Sequence, residues 1–169
     1  MFVRVLRSAI FVPIHEAQPN HYWCIVVENM RNAPQLLDPQ NQLSPEEKTR
    51  LVIFDSARET TRKKYPVECA ALKEAMVSMA CPAAHPEEKS RLVDLICVVE
   101  KVVQQQNDAW SSCYHVLENV MEVLTHLQEY PSRLIPLGVG LTNNPMVRLI
   151  LLNKLLRFIL YIILISNNH

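Results

Sequence analysis

The residue types that together perform thiol hydrolysis occur in this chain in a suggestive order. His21 heads an apolar run, Asp38 and Asp55 close later ones, Gln105, Gln106 and Asn107 supply side-chain amides, and Cys113 follows. A cysteine nucleophile needs a base to take its proton, a third group to orient that base, and a donor for the oxyanion that develops on the attacked carbonyl. Set in the first turn of a helix, a thiol also meets the helix N–H groups and the positive end of the helix dipole, which favour thiolate. Each residue has a plainer structural reading too. A cysteine can fill a core position, an aspartate can end a strand at the surface, and a glutamine run can be a polar loop.

The elements that must position these groups are legible from spacing. Residues 10–14, 22–28 and 51–54 are short runs rich in Val, Ile, Phe, Tyr and Trp between polar or proline-containing stretches, which is the strand signature. Residues 29–34 read as a turn and 35–37 as a short strand ended by Pro39. If 22–28 and 35–37 form a hairpin, its far ends carry His21 and Asp38, and Asp38 orients the imidazole. If 29–49 is instead an excursion, Asp55, closing the run Val52-Ile53-Phe54, is the orienter. Residues 67–80 carry Ala70, Ala71, Leu72, Ala75, Met76 and Met79 at helical spacing behind Pro66. Residues 81–90 read as a proline-rich loop, and 92–103 as a helix or, over 95–99, a buried strand. Ser111 and Ser112 precede Tyr114, Leu117, Val120, Met121, Leu124 and Leu127, an amphipathic helix with a serine cap.

Bulk properties narrow the classes. With 169 residues and 49% hydrophobic content the chain is long enough for one domain with a real core. Seventeen basic residues balance seventeen acidic ones and no long basic run occurs, so nucleic acid is not expected as a partner. Five widely spaced cysteines without a Cys-x-x-Cys pair point to free thiols, a reducing, intracellular setting and no metal site or other cofactor. Residues 146–165 form a hydrophobic tail, but a membrane span wants about 20 apolar residues, and Arg148, Lys154 and Arg157 interrupt that window. Such a tail suits a buried or self-associating helix, with membrane attachment through 146–165 as the alternative.

The motifs resemble those of the ubiquitin-like-specific cysteine proteases that process and remove SUMO, especially their divergent plant and transposon-borne branch. The resemblance runs from about Ile10 to Leu124. It rests on Ile10-Phe11-Val12-Pro13-Ile14, on His21-Tyr22-Trp23 leading into Ile25-Val26-Val27, on Leu37-Asp38 or Phe54-Asp55-Ser56, and on Gln106, Cys113 and Met121-Glu122. It implies a papain-like α+β fold, with a mixed sheet and the nucleophile on a flanking helix. It also implies hydrolysis of a peptide or isopeptide bond after the C-terminal Gly-Gly of a SUMO-type modifier, in the nucleus or cytoplasm. In that scheme His21 is the base, Asp38 or Asp55 its orienter, Gln106 the oxyanion donor and Cys113 the nucleophile.

The chain departs from the family pattern at defined points. Tyr22 separates His21 from Trp23, so either His21 is displaced by one residue or Tyr22 occupies the base position. The family's Asp-Cys-Gly reads Ser112-Cys113-Tyr114. Counting from Gln106 puts Ser112 at the nucleophile position, and counting from Met121-Glu122 puts Cys113 there; the second register needs no gap inside a helix. The expected organisation is a catalytic domain over residues 1–130, shortened at its N-terminus, and a tail over 131–169. A weak or inactive domain that binds a modifier without cleaving it is the alternative to a working peptidase.

Overall fold

The computed structural model describes residues 9–18, 20–45, 47–57, 65–103, 105, 106, 111–129 and 135. Strands β1 (Ala9–Ala17), β2 (Asn20–Glu28), β3 (Arg50–Phe54) and β4 (Cys97–Glu100) form one sheet in the order β1-β2-β3-β4. The first two pairings are antiparallel and the last is parallel. With helices α1 (Tyr65–Ala80), α2 (Pro86–Leu95) and α3 (Ser112–Glu129), this is an α+β fold with a mixed sheet, as the motifs imply.

Side chains alternate across the sheet and so divide the core in two. Trp23, Ile25 and Val27 of β2, with Leu51 and Ile53 of β3, pack against Tyr65, Cys69, Met76 and Val77 of α1 and Leu92 of α2. Cys24, Val26, Val52 and Phe54 face the other way, onto Val123 and Leu127 of α3. β1 follows the same alternation, with Val12 and Ile14 on the α1 side and Phe11 on the α3 side. Pro13 is tolerated inside β1 because β1 is an edge strand and needs a full ladder on one side only.

Three expectations are corrected. Residues 35–37 are not a strand: Met30–Leu37 is a 3-10 helix entered through Asn29, whose φ of 54° lies in the left-handed region that asparagine accepts. Asn29 and Asn32 tie this excursion down, Asn32 donating to the Glu47 carbonyl at 2.7 Å and the Asn29 carbonyl accepting from Thr49 Oγ1 at 2.9 Å. The antiparallel partner of β2 is therefore β3, in the register Cys24↔Phe54 to Glu28↔Arg50. The 81–90 loop is shorter than its prolines suggest. Pro86 occupies the first turn of α2, where a missing N–H costs nothing, and the His85 N–H is taken by Glu88 Oε2 at 2.9 Å. The 92–103 segment contains both elements, helix to Leu95 and strand over Cys97–Glu100, but that strand is not buried: Cys97 and Val98 are exposed. The hydrophobic tail lies outside the described residues. No helix among the described residues is long and apolar enough to cross a membrane.

Candidate active site

β3 ends at Phe54, opposite Cys24, so β2 residues before Cys24 project past the end of their β3 neighbour. Two contacts are made there. On one, the Tyr22 backbone N–H donates to Ser112 Oγ at 3.0 Å, docking the first residue of α3 on the strand one position from His21. Of the two serines expected at the start of this helix, Ser112 is buried and its hydroxyl accepts from this strand. Cys113 is the next residue, a partly exposed thiol outside any disulfide.

The other contact is the imidazole. His21 is 2% exposed, and its Nε2 donates to Asp55 Oδ1 at 2.7 Å. Asp55 leaves the end of β3 and is itself buried; its Oδ1 also accepts from the Ala57 N–H at 2.7 Å, and its Oδ2 accepts from the Tyr65 hydroxyl at 2.6 Å. A carboxylate that accepts from three donors leaves Nε2 as the protonated ring nitrogen and Nδ1 as the lone-pair nitrogen available to act as a base. Desolvation of such a pair is offset only when the remaining lone pairs are filled, as these are.

The two expected orienters thus separate. Asp55 is on His21, whereas Asp38 stands exposed at the C-terminal end of the 3-10 helix, its Oδ1 accepting from the Gln40 N–H at 2.9 Å. The hairpin that would have carried Asp38 to His21 is absent because residues 35–37 belong to that helix. Gln106 is tied to Ser56, the neighbour of Asp55: its N–H donates to the Ser56 carbonyl at 3.0 Å, and its Oε1 accepts from Ser56 Oγ at 2.7 Å. Asn107 lies outside the described residues, and Gln105 donates locally to the Val103 carbonyl at 3.2 Å.

The face that each side chain takes also matters. His21 lies on the α1 side with Trp23; its cross-strand partner Glu16 accepts from Trp23 Nε1 at 3.2 Å, and Trp23 tilts against Tyr65 with ring centroids 5.0 Å apart. Tyr22 takes the α3 side, stacked at 4.3 Å on His15, whose Nε2 bonds Asn20 Oδ1 at 2.7 Å. Spacing did not single out Tyr65, Glu16 or the role of Ser56. Ser56 follows Asp55 directly and was visible as part of one motif, but a lone tyrosine before Pro66 carries no signal of the carboxylate it meets.

Two of the other cysteines, Cys24 and Cys69, are buried, unlike Cys113. Cys24, beneath α3, is pushed up to about 12, first by burial and then by the negative charge of Asp55. Burial likewise raises Cys69 to about 11, with Lys73 opposing and Glu68 adding to the rise. Both are held as inert thiols. No cluster of metal-ligating side chains occurs among the described residues.

The chain matches the family model described as the Ulp1 protease family, C-terminal catalytic domain, over residues 7–149. Neither the curated proteins nor the solved structures contain a match. The match spans most of the 169 residues and takes in the strand ends and the helix that carry His21, Asp55, Gln106 and Cys113. This chain belongs to the Ulp1 protease family, a family of cysteine peptidases, through its C-terminal catalytic domain.

Proposed function

We propose that this chain hydrolyses the peptide or isopeptide bond that follows the C-terminal glycine of a SUMO-type modifier, with Cys113 as nucleophile, His21 as base and Asp55, not Asp38, as orienter. The observation that carries this reading is the buried Asp55–His21 pair at the end of β2, one residue from the strand N–H that docks the Cys113 helix. Cys113 Sγ attacks the glycine carbonyl carbon while its proton passes to His21 Nδ1. The oxyanion is stabilised by the Gln106 carboxamide and by the first-turn N–H groups of α3. Collapse of the adduct breaks the C–N bond, the imidazolium returns its proton to the leaving amine, and water then hydrolyses the thioester with His21 again as base. This reading takes Cys113 rather than Ser112 as nucleophile, supported by the burial of Ser112 and the engagement of its hydroxyl by the Tyr22 N–H. The setting is intracellular, in nucleus or cytoplasm, where modifier conjugates and reduced cysteines coexist.

Incubation with a SUMO bearing a C-terminal electrophile tests the assignment. Wild type forms the covalent adduct and Cys113→Ala does not; an adduct that persists in Cys113→Ala and disappears in Ser112→Ala overturns it.

A second reading, a domain that grips the modifier without cleaving it, is favoured by one observation. His21 shares the Trp23 face of β2, whereas Tyr22 takes the face on which α3 packs. It predicts a calorimetric binding isotherm for SUMO that Cys113→Ala leaves unchanged, with no adduct and no cleavage.

A further inference from the structure

Four short stretches meet at the end of the sheet, and adjacent residues within them do different jobs. Tyr22 holds Ser112 while its neighbour His21 holds Asp55. Asp55 orients the imidazole, and its neighbour Ser56 is bonded to Gln106 twice. Ser56 is 3% exposed, so its hydroxyl and carbonyl need protein partners, and Gln106 supplies both.

We infer that Ser56 is a positioning residue that sets the Gln106 carboxamide for oxyanion binding, an inference that rests on the peptidase reading above. A carboxamide has one acceptor end and one donor end, and only the donor end can serve an oxyanion. The Ser56 hydroxyl donates to Gln106 Oε1 at 2.7 Å and so turns the acceptor end toward Ser56. The amide nitrogen is then held on the opposite side of the carboxamide plane axis, away from Ser56. The second bond, from the Gln106 N–H to the Ser56 carbonyl at 3.0 Å, fixes the backbone from which that side chain swings. Without the hydroxyl, the carboxamide loses a contact that distinguishes its two ends and spends part of its time with oxygen facing the developing negative charge. The dipeptide Asp55-Ser56 therefore aligns base and oxyanion donor together, so the geometry of one is coupled to that of the other through a single peptide unit.

Steady-state hydrolysis of a SUMO C-terminal aminocoumarin amide tests this, alongside alkylation of Cys113 by iodoacetamide, which develops no oxyanion. Removing a whole oxyanion donor costs on the order of 10²–10³ in kcat, and losing its orientation is expected to cost about tenfold. Ser56→Ala should therefore lower kcat about tenfold at unchanged KM, leave the alkylation rate at the wild-type value, and add nothing to the loss already caused by Gln106→Ala. Gln106→Glu keeps an oxygen for the Ser56 hydroxyl but has no amide nitrogen, and should lose as much kcat as Gln106→Ala; this arm stands even where Ser56→Ala fails to fold. The inference is overturned if Ser56→Ala keeps wild-type kcat, if it slows alkylation as much as hydrolysis, if its effect is additive with Gln106→Ala, or if Gln106→Glu remains fully active. Wild type that alkylates but neither hydrolyses the substrate nor forms the electrophile adduct overturns the peptidase reading and this inference together; wild-type turnover with Ser56→Ala unaffected overturns this inference alone.

Discussion

β2 carries a buried acid–base pair at each end, and the two pairs differ in what their basic partner can do. At one end Glu28 faces its register partner Arg50, with Arg50 Nε donating to Glu28 Oε2; Ile135 closes the group, its N–H donating to Glu28 Oε1 at 2.7 Å and its carbonyl accepting from Arg50 Nη2 at 2.9 Å. At the other end His21 donates to Asp55, which is filled by Ala57 and Tyr65. A guanidinium stays charged and has no lone pair to offer, so the Glu28–Arg50 pair can only hold the strands and Ile135 together. An imidazole bound through one nitrogen keeps the other as a base. Burial and pairing are common to both ends; the capacity to move a proton belongs to one. The ends differ in surroundings as well. β3 continues alongside Glu28 through Arg50, whereas it has ended before reaching the level of His21 and leaves room for the tip of α3.

The sharpest way to break this contrast is to remove the acid at each end. Asp55→Asn should lower kcat on the SUMO aminocoumarin substrate by on the order of 10²–10⁴, because an amide in place of the carboxylate no longer fixes the imidazole tautomer. Glu28→Gln should leave kcat within about twofold while lowering the urea midpoint. Equal losses of kcat at both ends would mean that the two pairs are equivalent structural clamps.

Arg50→Ala comes next. It strands a buried carboxylate and should cost about 3–5 kcal/mol in urea unfolding, and the double variant with Glu28→Gln should cost less than the sum of the two single changes. Additive losses would show that the pair is not coupled. At the His21 end, Tyr65→Phe removes one donor to a buried carboxylate and should cost about 1.5–3 kcal/mol, accompanied by a smaller fall in kcat than Asp55→Asn. A full-sized kcat loss in Tyr65→Phe would move the tyrosine from support of Asp55 into the chemistry itself.

Alkali probes the same neighbourhood through Cys24, whose thiol feels the Asp55 charge. The folded-state values, about 12 for Cys24 and about 11 for Cys69, lie above the ordinary 9.0, so the folded chain holds protons that the unfolded chain releases. The stability this contributes is complete below about pH 9 and is lost as pH rises toward 11 and then 12. The urea midpoint should therefore fall with pH above 9, and Cys24→Ala should flatten the slope; an unchanged slope would separate Cys24 from that environment. The smallest effect belongs to Asp38→Asn, which should alter stability by less than about 0.5 kcal/mol and leave hydrolysis at the wild-type rate. Loss of hydrolysis in that variant would return the orienting role to Asp38.

Residues with a strong local signal were legible without coordinates. Periodicity located three of the four strands and the helices at 65–80 and 112–129, and alternation within β2 follows directly from His21-Tyr22-Trp23-Cys24-Ile25-Val26-Val27. The misread segment 35–37 shows why the rest was not legible: two leucines before an aspartate and a proline look alike in a strand and in a 3-10 turn, and the side chains that decide, Asn29 and Asn32, donate to the carbonyls of Lys48 and Glu47, far along the chain.

Sequence by itself determined the inventory: a histidine before a strand, two strand- or run-ending acids, a glutamine and a cysteine before a helix, in an order that identifies the family. Tertiary structure alone put Asp55, not Asp38, on His21, buried Ser112 against the end of the strand, brought Tyr65 to Asp55 and Gln106 to Ser56, and set His21 and Tyr22 on opposite faces. The physical reason is that these choices depend on where β3 ends relative to β2 and on which way each side chain alternates across the paired sheet, and both are properties of register between distant segments rather than of any segment alone.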